Sequence, residues 1–246
     1  MAAQTNSKSA SRSKLAVDSK IKFQVTEAYK SIRTNLMFSI AHPGCKTIVV
    51  SSSMENEGKS TGAVNIAISL SQTNLRVLLI DTDLRKPKLH MFFDMNNAPG
   101  LSHVLSGLQP LNETIRHTSY TNLDIITAGA TPPNPSELLA SETFGQLLQT
   151  LAADYDYIIV DTPPVNVVSD ALPVIKKSDG VVLMVRSGMA TYPELDKAVQ
   201  HLKMIDAKIL GLVLNGADTR SKGYGSKAGY GKYGYGYGYG KHDTAG

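Results

Sequence analysis

The stretch Ser53-Met54-Glu55-Asn56-Glu57-Gly58-Lys59-Ser60 decides the fold. It follows an apolar run at 47–51 and precedes a helical pattern at 63–70. A strand, a loop ending in Gly-Lys-Ser and a helix together form a P-loop, in which backbone N–H groups and the helix N-terminus cradle an anion. In such a loop Lys59 reaches the β- and γ-phosphates of a nucleotide, and the Ser60 hydroxyl ligates Mg²⁺.

The loop departs from the usual pattern at one position, where the leading glycine is replaced by Ser53. Serine is small and polar, so the chain can still turn there. The alternative is a chance match of strand, turn and helix, which the acidic strand ends described next argue against. We expect the nucleotide to contact Ser53, Met54, Glu55, Asn56, Glu57, Gly58, Lys59, Ser60 and Thr61.

Two further apolar runs end in aspartate. Val77–Ile80 is followed by Asp81 and Asp83, and Tyr157–Val160 is followed by Asp161. Ligands of doubly wound sheets bind outside the carboxyl ends of the strands, and Asp161 matches the Walker B carboxylate that holds Mg²⁺ in P-loop enzymes. Asp81 and Asp83 would share one side of a strand that continued through them. Alternatively, they are turn aspartates that cap a helix.

Strands alternate with helices along the rest of the chain. This pattern predicts an α/β fold with a doubly wound, mostly parallel sheet of the P-loop NTPase class. We predict helices at 24–40, at 101–108, at 137–153 (with Ser136 as its N-cap) and at 193–205, and strands at 123–127, at 179–185 and at 208–214, the last ending at Asn215.

The composition fits one large α/β domain with short additions. The chain has 246 residues, of which 42% are hydrophobic, and a formal charge of +4 whose basic residues cluster towards the two ends, which indicates basic tails and no nucleic-acid site. Cys45 is the only cysteine, so a reducing compartment fits. No apolar run approaches the ~18 residues of a membrane span, so any membrane association requires a partner.

The first helical pattern, from Gln24 to Ile40, carries a polar face with Glu27, Lys30 and Arg33. This face is either solvated or used for pairing between subunits. The opposite, apolar face is expected to contain Val25, Ala28, Ile32, Leu36 and Ile40.

Both ends of the chain have a biased composition. Residues 1–20 are polar and basic and are expected to be disordered, residues 21–217 form the predicted domain, and residues 218–246 form a Gly/Tyr-rich tail. The tail is either a sticky low-complexity segment or a string of hydroxyl groups that become modified. It holds six of the eleven tyrosines, and these are the candidate phosphoacceptors: Tyr224, Tyr230, Tyr233, Tyr235, Tyr237 and Tyr239.

Together these residues resemble the bacterial tyrosine kinases (BY-kinases) of capsule and exopolysaccharide synthesis, in particular the stand-alone cytoplasmic type of Gram-positive bacteria. The resemblance covers the chain from about Glu27 to its C-terminus. Walker A and Walker B motifs are shared with many ATPases. The specific features are the second acidic motif, Leu79–Arg85, which contains Asp-x-Asp-x-Arg, and the terminal tyrosine cluster.

The resemblance implies an ATP- and Mg²⁺-dependent protein-tyrosine kinase that phosphorylates its own tail between subunits. Lys59 is expected to bind the transferring phosphate, and Asp81 to orient the tyrosine, although the division of roles between Asp81 and Asp83 stays open. Arg85 is expected to bind phosphate or to hold the carboxylates, and Asn215 to contact adenine. The Mg²⁺ ligands are expected to be Ser60, Asp83 and Asp161.

The resemblance also implies partners. The family joins subunits into a ring through a Glu-x-x-Arg-x-x-Arg helix, which is present here as Glu27, Lys30 and Arg33 with lysine at the middle position. The cytoplasmic tail of a transmembrane polysaccharide co-polymerase would activate the kinase and recruit it from the cytoplasm to the inner face of the membrane. A phosphotyrosine phosphatase would reverse the reaction, and sugar-nucleotide enzymes are further candidate substrates.

Two other functions fit parts of the sequence. Positioning ATPases of cell division and plasmid partition share the P-loop, but that group has a signature lysine where this chain has Met54 and does not end in a tyrosine string. A structural protein with a vestigial nucleotide site is the other alternative, and the intact set of P-loop and strand-end residues argues against it.

Overall fold

The computed structural model describes residues 23–217. The strands are β1 (Lys46–Ser52), β2 (Val77–Asp81), β3 (Arg116–His117), β4 (Leu123–Ile126), β5 (Tyr157–Asp161), β6 (Gly180–Arg186) and β7 (Ile209–Asn215). The helices are α1 (Phe23–Ser39), α2 (Lys59–Ser71), α3 (Leu89–Phe92), α4 (Leu101–Leu105), α5 (Pro135–Ala140), α6 (Glu142–Leu151), α7 (Ala171–Lys176) and α8 (Tyr192–Met204), with a 3₁₀ turn at Leu111–Glu113. The predicted terminal segments, 1–20 and 218–246, lie outside the described residues.

The strands form one seven-stranded sheet in the order β3-β4-β2-β5-β1-β6-β7. All neighbours are parallel except β3, which pairs antiparallel with β4 at one edge. The predicted doubly wound, mostly parallel sheet is therefore confirmed. Every residue of β2 and β5 is buried, as expected for parallel strands that are covered on both faces.

Two apolar layers cover the sheet. One contains side chains of α1 and α2 packed on Ile48 and Ile159, and the other contains side chains of α5 to α8 packed on Val49 and Val160. Adjacent strand residues point to opposite layers because side chains alternate along a strand. This arrangement leaves the carboxyl ends of β1, β5 and β2 next to one another at one edge, where Asp81 and Asp161 are direct partners in the register.

The prediction of one helix at 137–153 is wrong, because the structure has two helices there, α5 and α6. The chain leaves the helical region at Ser141 (φ −58°, ψ 155°), which separates α5 from α6. Ser141 is the N-cap of α6, because its hydroxyl accepts a hydrogen bond from the N–H of Phe144 at 3.3 Å. The predicted cap, Ser136, lies inside α5 and donates its hydroxyl to Asp170 instead.

The predicted first helix is confirmed as α1, but one residue of its apolar face is wrong. Ala28 is exposed, while Tyr29 is buried at 8% exposure beside α2. Three short elements, α3, α7 and β3, carry too few residues for a periodic pattern and were not predicted. Within residues 23–217, no helix is both long and apolar enough to cross a membrane.

A substitution of Phe144 tests how tightly α6 packs within its apolar layer. Its side chain has no exposed surface, so Phe144→Ala should lower the free energy of unfolding by about 3–5 kcal/mol, through lost apolar burial and the cavity left behind. Phe38→Ala is the matched control, because Phe38 is 85% exposed and its loss should change stability by less than about 0.5 kcal/mol. Urea unfolding of both variants measures the difference, and equal effects would contradict this packing.

Candidate active site

The P-loop turns from β1 into α2 through two residues with positive φ, Asn56 (65°) and Gly58 (92°). Gly58 is the N-cap of α2, so Lys59 and Ser60 begin the helix. The loop is braced from inside by Glu57, which is fully buried and whose Oε2 accepts hydrogen bonds from the Ser53 hydroxyl and the Met54 N–H, both at 2.8 Å. Serine at the usual glycine position therefore has a structural use, because its hydroxyl joins the two ends of the loop.

The loop is also held from the side of β6 and β7. The side-chain amide of Asn215 donates to the Glu57 carbonyl at 3.2 Å, and Arg186 donates to the Asn56 carbonyl at 3.1 Å. A Cβ atom added at Gly58 would lie 2.2 Å from Nδ2 of Asn215. Asn215 thus contacts the back of the phosphate loop, and Arg186 is a loop contact that the sequence did not reveal.

On the side of the P-loop that faces β5 and β2, carboxylates surround the ammonium of Lys59. Its Nζ lies 2.9 Å from Oδ2 of Asp83, 3.3 Å from the Ser60 hydroxyl and 3.9 Å from Oδ2 of Asp161. Burial disfavours the ammonium, but Asp161 and Asp83 outweigh burial, so the pKa of Lys59 is raised. The predicted catalytic residues Lys59, Asp83 and Asp161 therefore come together.

Asp81 has a different environment. It is fully buried, and its carboxylate accepts hydrogen bonds from the N–H groups of Asp83 (3.1 Å), Lys88 (3.1 Å) and Leu89 (3.0 Å). Burial, with a further contribution from the Asp161 carboxylate, raises the pKa of Asp81 to about 7. The strand ends at Asp81, so Asp81 and Asp83 do not lie on a continuing strand, and Asp81 shapes the segment that carries Asp83.

Arg85, which was expected to bind phosphate or to hold the site carboxylates, forms an ion pair with a different carboxylate. Its Nε and Nη2 donate to the Asp170 carboxylate at 2.7 and 3.2 Å, and Asp170 is fully buried and also accepts the Ser136 hydroxyl. The pair ties the segment after β2 to α5 and to the start of α7. Asp170 and Ser136 carry no motif, so only the folded chain reveals them as partners of Arg85.

The site opens into a cavity of about 190 Å³. Its lining includes charged residues from the P-loop and from the segment after β2, together with four apolar residues from the segment after β5. The lining residues are Glu55, Asn56, Lys59, Asp83, Arg85, Lys86, Lys88, Pro163, Pro164, Val167 and Val168. The sequence motifs predicted Glu55, Asn56, Lys59, Asp83 and Arg85 in this site, but not Lys86, Lys88 or the four apolar residues.

The donor set fits a Mg²⁺ ion that is held jointly with a nucleotide. Both carboxylate oxygens of Asp161 are buried and make no hydrogen bond within residues 23–217, although such groups are normally satisfied. No cluster of three or more His, Cys, Asp or Glu side chains in the same residues could hold a metal by itself. Mg²⁺ typically takes one or two carboxylates and completes its shell with phosphates and water, and Ser60, Asp83 and Asp161 fit that role.

The residues predicted for subunit contacts divide into two groups. Glu27 and Lys30 pair with each other on the surface of α1 at 2.8 Å. Arg33 instead donates to the carbonyl of Ser69 at 2.8 Å, which attaches α1 to the end of α2. The six candidate phosphoacceptor tyrosines lie outside the described residues.

Comparisons with known proteins agree with this geometry. A family described as an AAA domain matches residues 45–210. The chain is 38% identical to a putative tyrosine-protein kinase CapB of Staphylococcus aureus, over 82% of this chain and 89% of the relative. It is 37% identical to tyrosine-protein kinase YwqD of Bacillus subtilis, over 85% and 86%.

Solved structures of other proteins also resemble this chain. The chimerical protein CapA2B2 superposes with a TM-score of 0.77 at 38% identity, over 81% of this chain and 88% of that one. The kinase domain of Escherichia coli tyrosine kinase ETK reaches 0.80 at 35% identity, over 91% and 84%. The septum site-determining protein MinD of Pyrococcus horikoshii, complexed with Mg-ADP, reaches 0.60 over 69% and 70% at 23% identity, which shows the shared fold alone.

Gly58→Ala tests the P-loop geometry. We expect it to weaken binding of a fluorescent ATP analogue in Mg²⁺ by at least about tenfold, because left-handed backbone costs a side chain roughly 1–2 kcal/mol and the new Cβ would displace Asn215 from the loop.

Gly44→Ala is the matched control for this substitution. Gly44 has a similar φ of +84° but no atom within 4 Å of the added Cβ, so the variant should bind the nucleotide as the wild type does. Unchanged binding by Gly58→Ala would show that this contact does not shape the nucleotide site.

Proposed function

Because the chain belongs to the bacterial tyrosine-protein kinases of capsule and exopolysaccharide synthesis, we propose that it transfers the γ-phosphate of ATP to the tyrosines of its own C-terminal cluster, from one subunit to the next. The observation that carries the proposal is the contact of Lys59 with Asp83 at 2.9 Å and its approach to Asp161 at 3.9 Å, next to an anion cradle. The acceptors are Tyr224, Tyr230, Tyr233, Tyr235, Tyr237 and Tyr239.

In this mechanism the P-loop N–H groups and Lys59 bind the phosphates of ATP, and the ammonium exchanges its contact with Asp83 for the transferring phosphate. Ser60, Asp83 and Asp161 hold Mg²⁺, which neutralises charge on the phosphates when bound. The tyrosine oxygen forms a bond to the γ-phosphorus as the bond to ADP breaks, and the phenolic proton leaves through a site carboxylate to solvent.

Asp81 is the proposed orienting carboxylate. A free phenol titrates near ~10 and a free aspartate near ~3.9, so an ordinary aspartate is a poor base for tyrosine. Burial raises the pKa of Asp81 to about 7, which narrows this gap, and three backbone N–H bonds fix its position. A loose transition state does not require early loss of the proton, so alignment is the main role we assign to Asp81.

The proposed partners follow from the family and from the solved chimera CapA2B2. A cytoplasmic segment of a transmembrane polysaccharide co-polymerase would activate the kinase and bring it from the cytoplasm to the inner face of the membrane. A phosphotyrosine phosphatase would reset the tail, and sugar-nucleotide enzymes would be further substrates. We also propose a homo-oligomeric ring in which α1 contacts a neighbouring subunit.

Lys59→Met should lower phosphorylation of the tail by about 100- to 1,000-fold while the fold persists, because the variant lacks a charged donor to the transferring phosphate. Mass spectrometry of the tail after incubation with ATP and Mg²⁺ measures the loss, and circular dichroism confirms folding. Lys203→Met, on the exposed side of α8, is the control and should phosphorylate normally. Phosphotyrosine at the wild-type level in folded Lys59→Met would refute the assignment.

Asp81→Asn and Asp161→Ala should separate acceptor alignment from metal binding. Asp81→Asn keeps one oxygen, which can still accept from the N–H groups of Lys88 and Leu89, so we expect normal Mg²⁺-dependent nucleotide binding with loss of transfer to tyrosine. Asp161→Ala removes a metal ligand and should weaken that binding as well. Titration with a fluorescent ATP analogue, with and without Mg²⁺, distinguishes them, and equal binding by both variants would refute this division of roles.

Replacing Glu27, Lys30 and Arg33 by alanine should convert the assembled protein into monomers, as measured by light scattering. Since Arg33 also bonds to Ser69 within the chain, urea unfolding must show that the variant remains folded. Reversing the pair, with Glu27→Lys and Lys30→Glu, keeps the surface ion pair but presents opposite charges to a neighbour, so it should also dissociate the ring. A triple variant of unchanged size would mean that this face is merely solvated.

A further inference from the structure

We propose that Pro163, Pro164, Val167 and Val168 form the subsite that receives the phenol ring of the acceptor tyrosine. The proposal rests on the proposed function and names the surface that selects its substrate. The occupant is a tyrosine of the Gly/Tyr segment of a second copy of this chain. The juxtaposition behind it is an apolar wall that lines the same cavity as Lys59 and Asp83.

The strand order separates the two sides of the P-loop. β6 and β7 lie on one side of β1, and β5 and β2 lie on the other. The carboxylates that surround Lys59 follow β5 and β2, so phosphoryl transfer belongs on that side, whereas Asn215 and Arg186 contact the loop from the β6 and β7 side. The apolar wall follows β5, so it stands where the acceptor must approach.

Core packing does not explain the two valines of the wall, whereas Pro163 and Pro164 are buried. Val167 is 42% exposed, and neither Val167 nor Val168 belongs to the two apolar layers of the sheet. The same cavity is also lined by Lys59, Asp83 and charged residues of the segment after β2. The apolar side chains in this cavity offer neither charge nor hydrogen bonds to phosphates. They suit an aromatic ring whose hydroxyl points towards the phosphates.

The wall is also held in a fixed position relative to the phosphate loop. The N–H of Val165 donates to the Ser52 carbonyl at 2.9 Å, and the N–H of Asn166 donates to the Ser53 carbonyl at 3.3 Å. The Ser51 hydroxyl donates to the carbonyl of Pro163 at 2.9 Å. Groups that bind a reacting partner work best when the surrounding structure fixes them in this way.

The size of the cavity agrees with the sequence of the tail. The cavity has a volume of about 190 Å³, and a ring enters it most easily if the residues beside the tyrosine are small. Tyr224, Tyr230, Tyr235, Tyr237 and Tyr239 each have glycine on both sides, and Tyr233 is followed by glycine. Glycine lets the backbone approach closely, so these tyrosines suit a cavity that the backbone of the tail must approach.

The experiment replaces Val167 and Val168 together by threonine, which keeps their shape but places two hydroxyl groups in the wall. The variant is made in the full-length chain with the six tail tyrosines changed to alanine, so that a synthetic peptide of residues 228–240 is the cluster acceptor. We expect KM for the peptide to rise about tenfold, because a ring now covers hydroxyl groups without partners. KM for ATP and the rate of ATP hydrolysis should change less than twofold.

Two comparisons make the result decisive. Leu108→Thr, at a site 73% exposed and outside the cavity lining, should keep the wild-type KM for the peptide. The peptide with phenylalanine in place of tyrosine should inhibit the wild type, and inhibit the threonine variant about tenfold less.

An unchanged KM for the peptide would overturn the subsite. A parallel rise in KM for ATP would also overturn it and would assign the wall to the nucleotide. If the wild-type chain itself transfers no phosphate to tyrosine, the proposed function fails, and the subsite fails with it.

Discussion

The charge of Lys59 is the constraint on which the site depends. Lys59 is only 8% exposed, and its buried ammonium is tolerated because Asp83 and Asp161 lie beside it. Those carboxylates meet it only because β2 and β5 end beside β1 at the same edge of a parallel sheet. The chemistry therefore depends on the two apolar layers that hold the strands in this order. The carboxylates of Asp83 and Asp161 also keep Lys59 protonated, so that its ammonium can exchange a carboxylate for a phosphate.

The segment after β2 is organised by two buried carboxylates with different partners. Asp81 is surrounded by backbone N–H groups and shapes the turn from within, whereas Asp170 pairs with Arg85 and joins the turn to the opposite layer of helices. Burying a carboxylate is costly unless it is hydrogen-bonded or paired, so each fixes the geometry around it. Asp83, which lies between Asp81 and Arg85 in the chain, is thereby presented to Lys59.

The two sides of the P-loop have different surroundings, and this difference relates the site to tyrosine as the substrate. On the β7 side the loop is backed by polar side chains that hold its carbonyl groups. On the β5 side it faces charge and an apolar wall in the same cavity. A general ATPase needs only the phosphate cradle and the metal ligands, whereas a kinase that acts on phenols also needs a surface for the ring. The shared fold therefore does not settle the substrate, and the residues beside the cradle carry that information.

Local patterns in the amino-acid sequence determined much of this protein. The Gly-Lys-Ser loop, the aspartates that end two apolar runs and the alternation of strands with helices predicted the sheet, the P-loop and the positions of Lys59, Asp83 and Asp161, because each rests on residues close together in the chain. The tertiary structure decided the rest. It surrounded the Asp81 carboxylate with backbone N–H groups, paired Arg85 with Asp170, broke the long helix at Ser141 and brought Val167 into the cavity that Lys59 also lines. The contacts of Asp81 and the cap at Ser141 join residues no more than eight positions apart, but no sequence pattern marks the turns that create them. The pairing of Arg85 with Asp170 and the position of Val167 depend on segments far apart in sequence, whose partners are fixed only when the sheet and its helices pack.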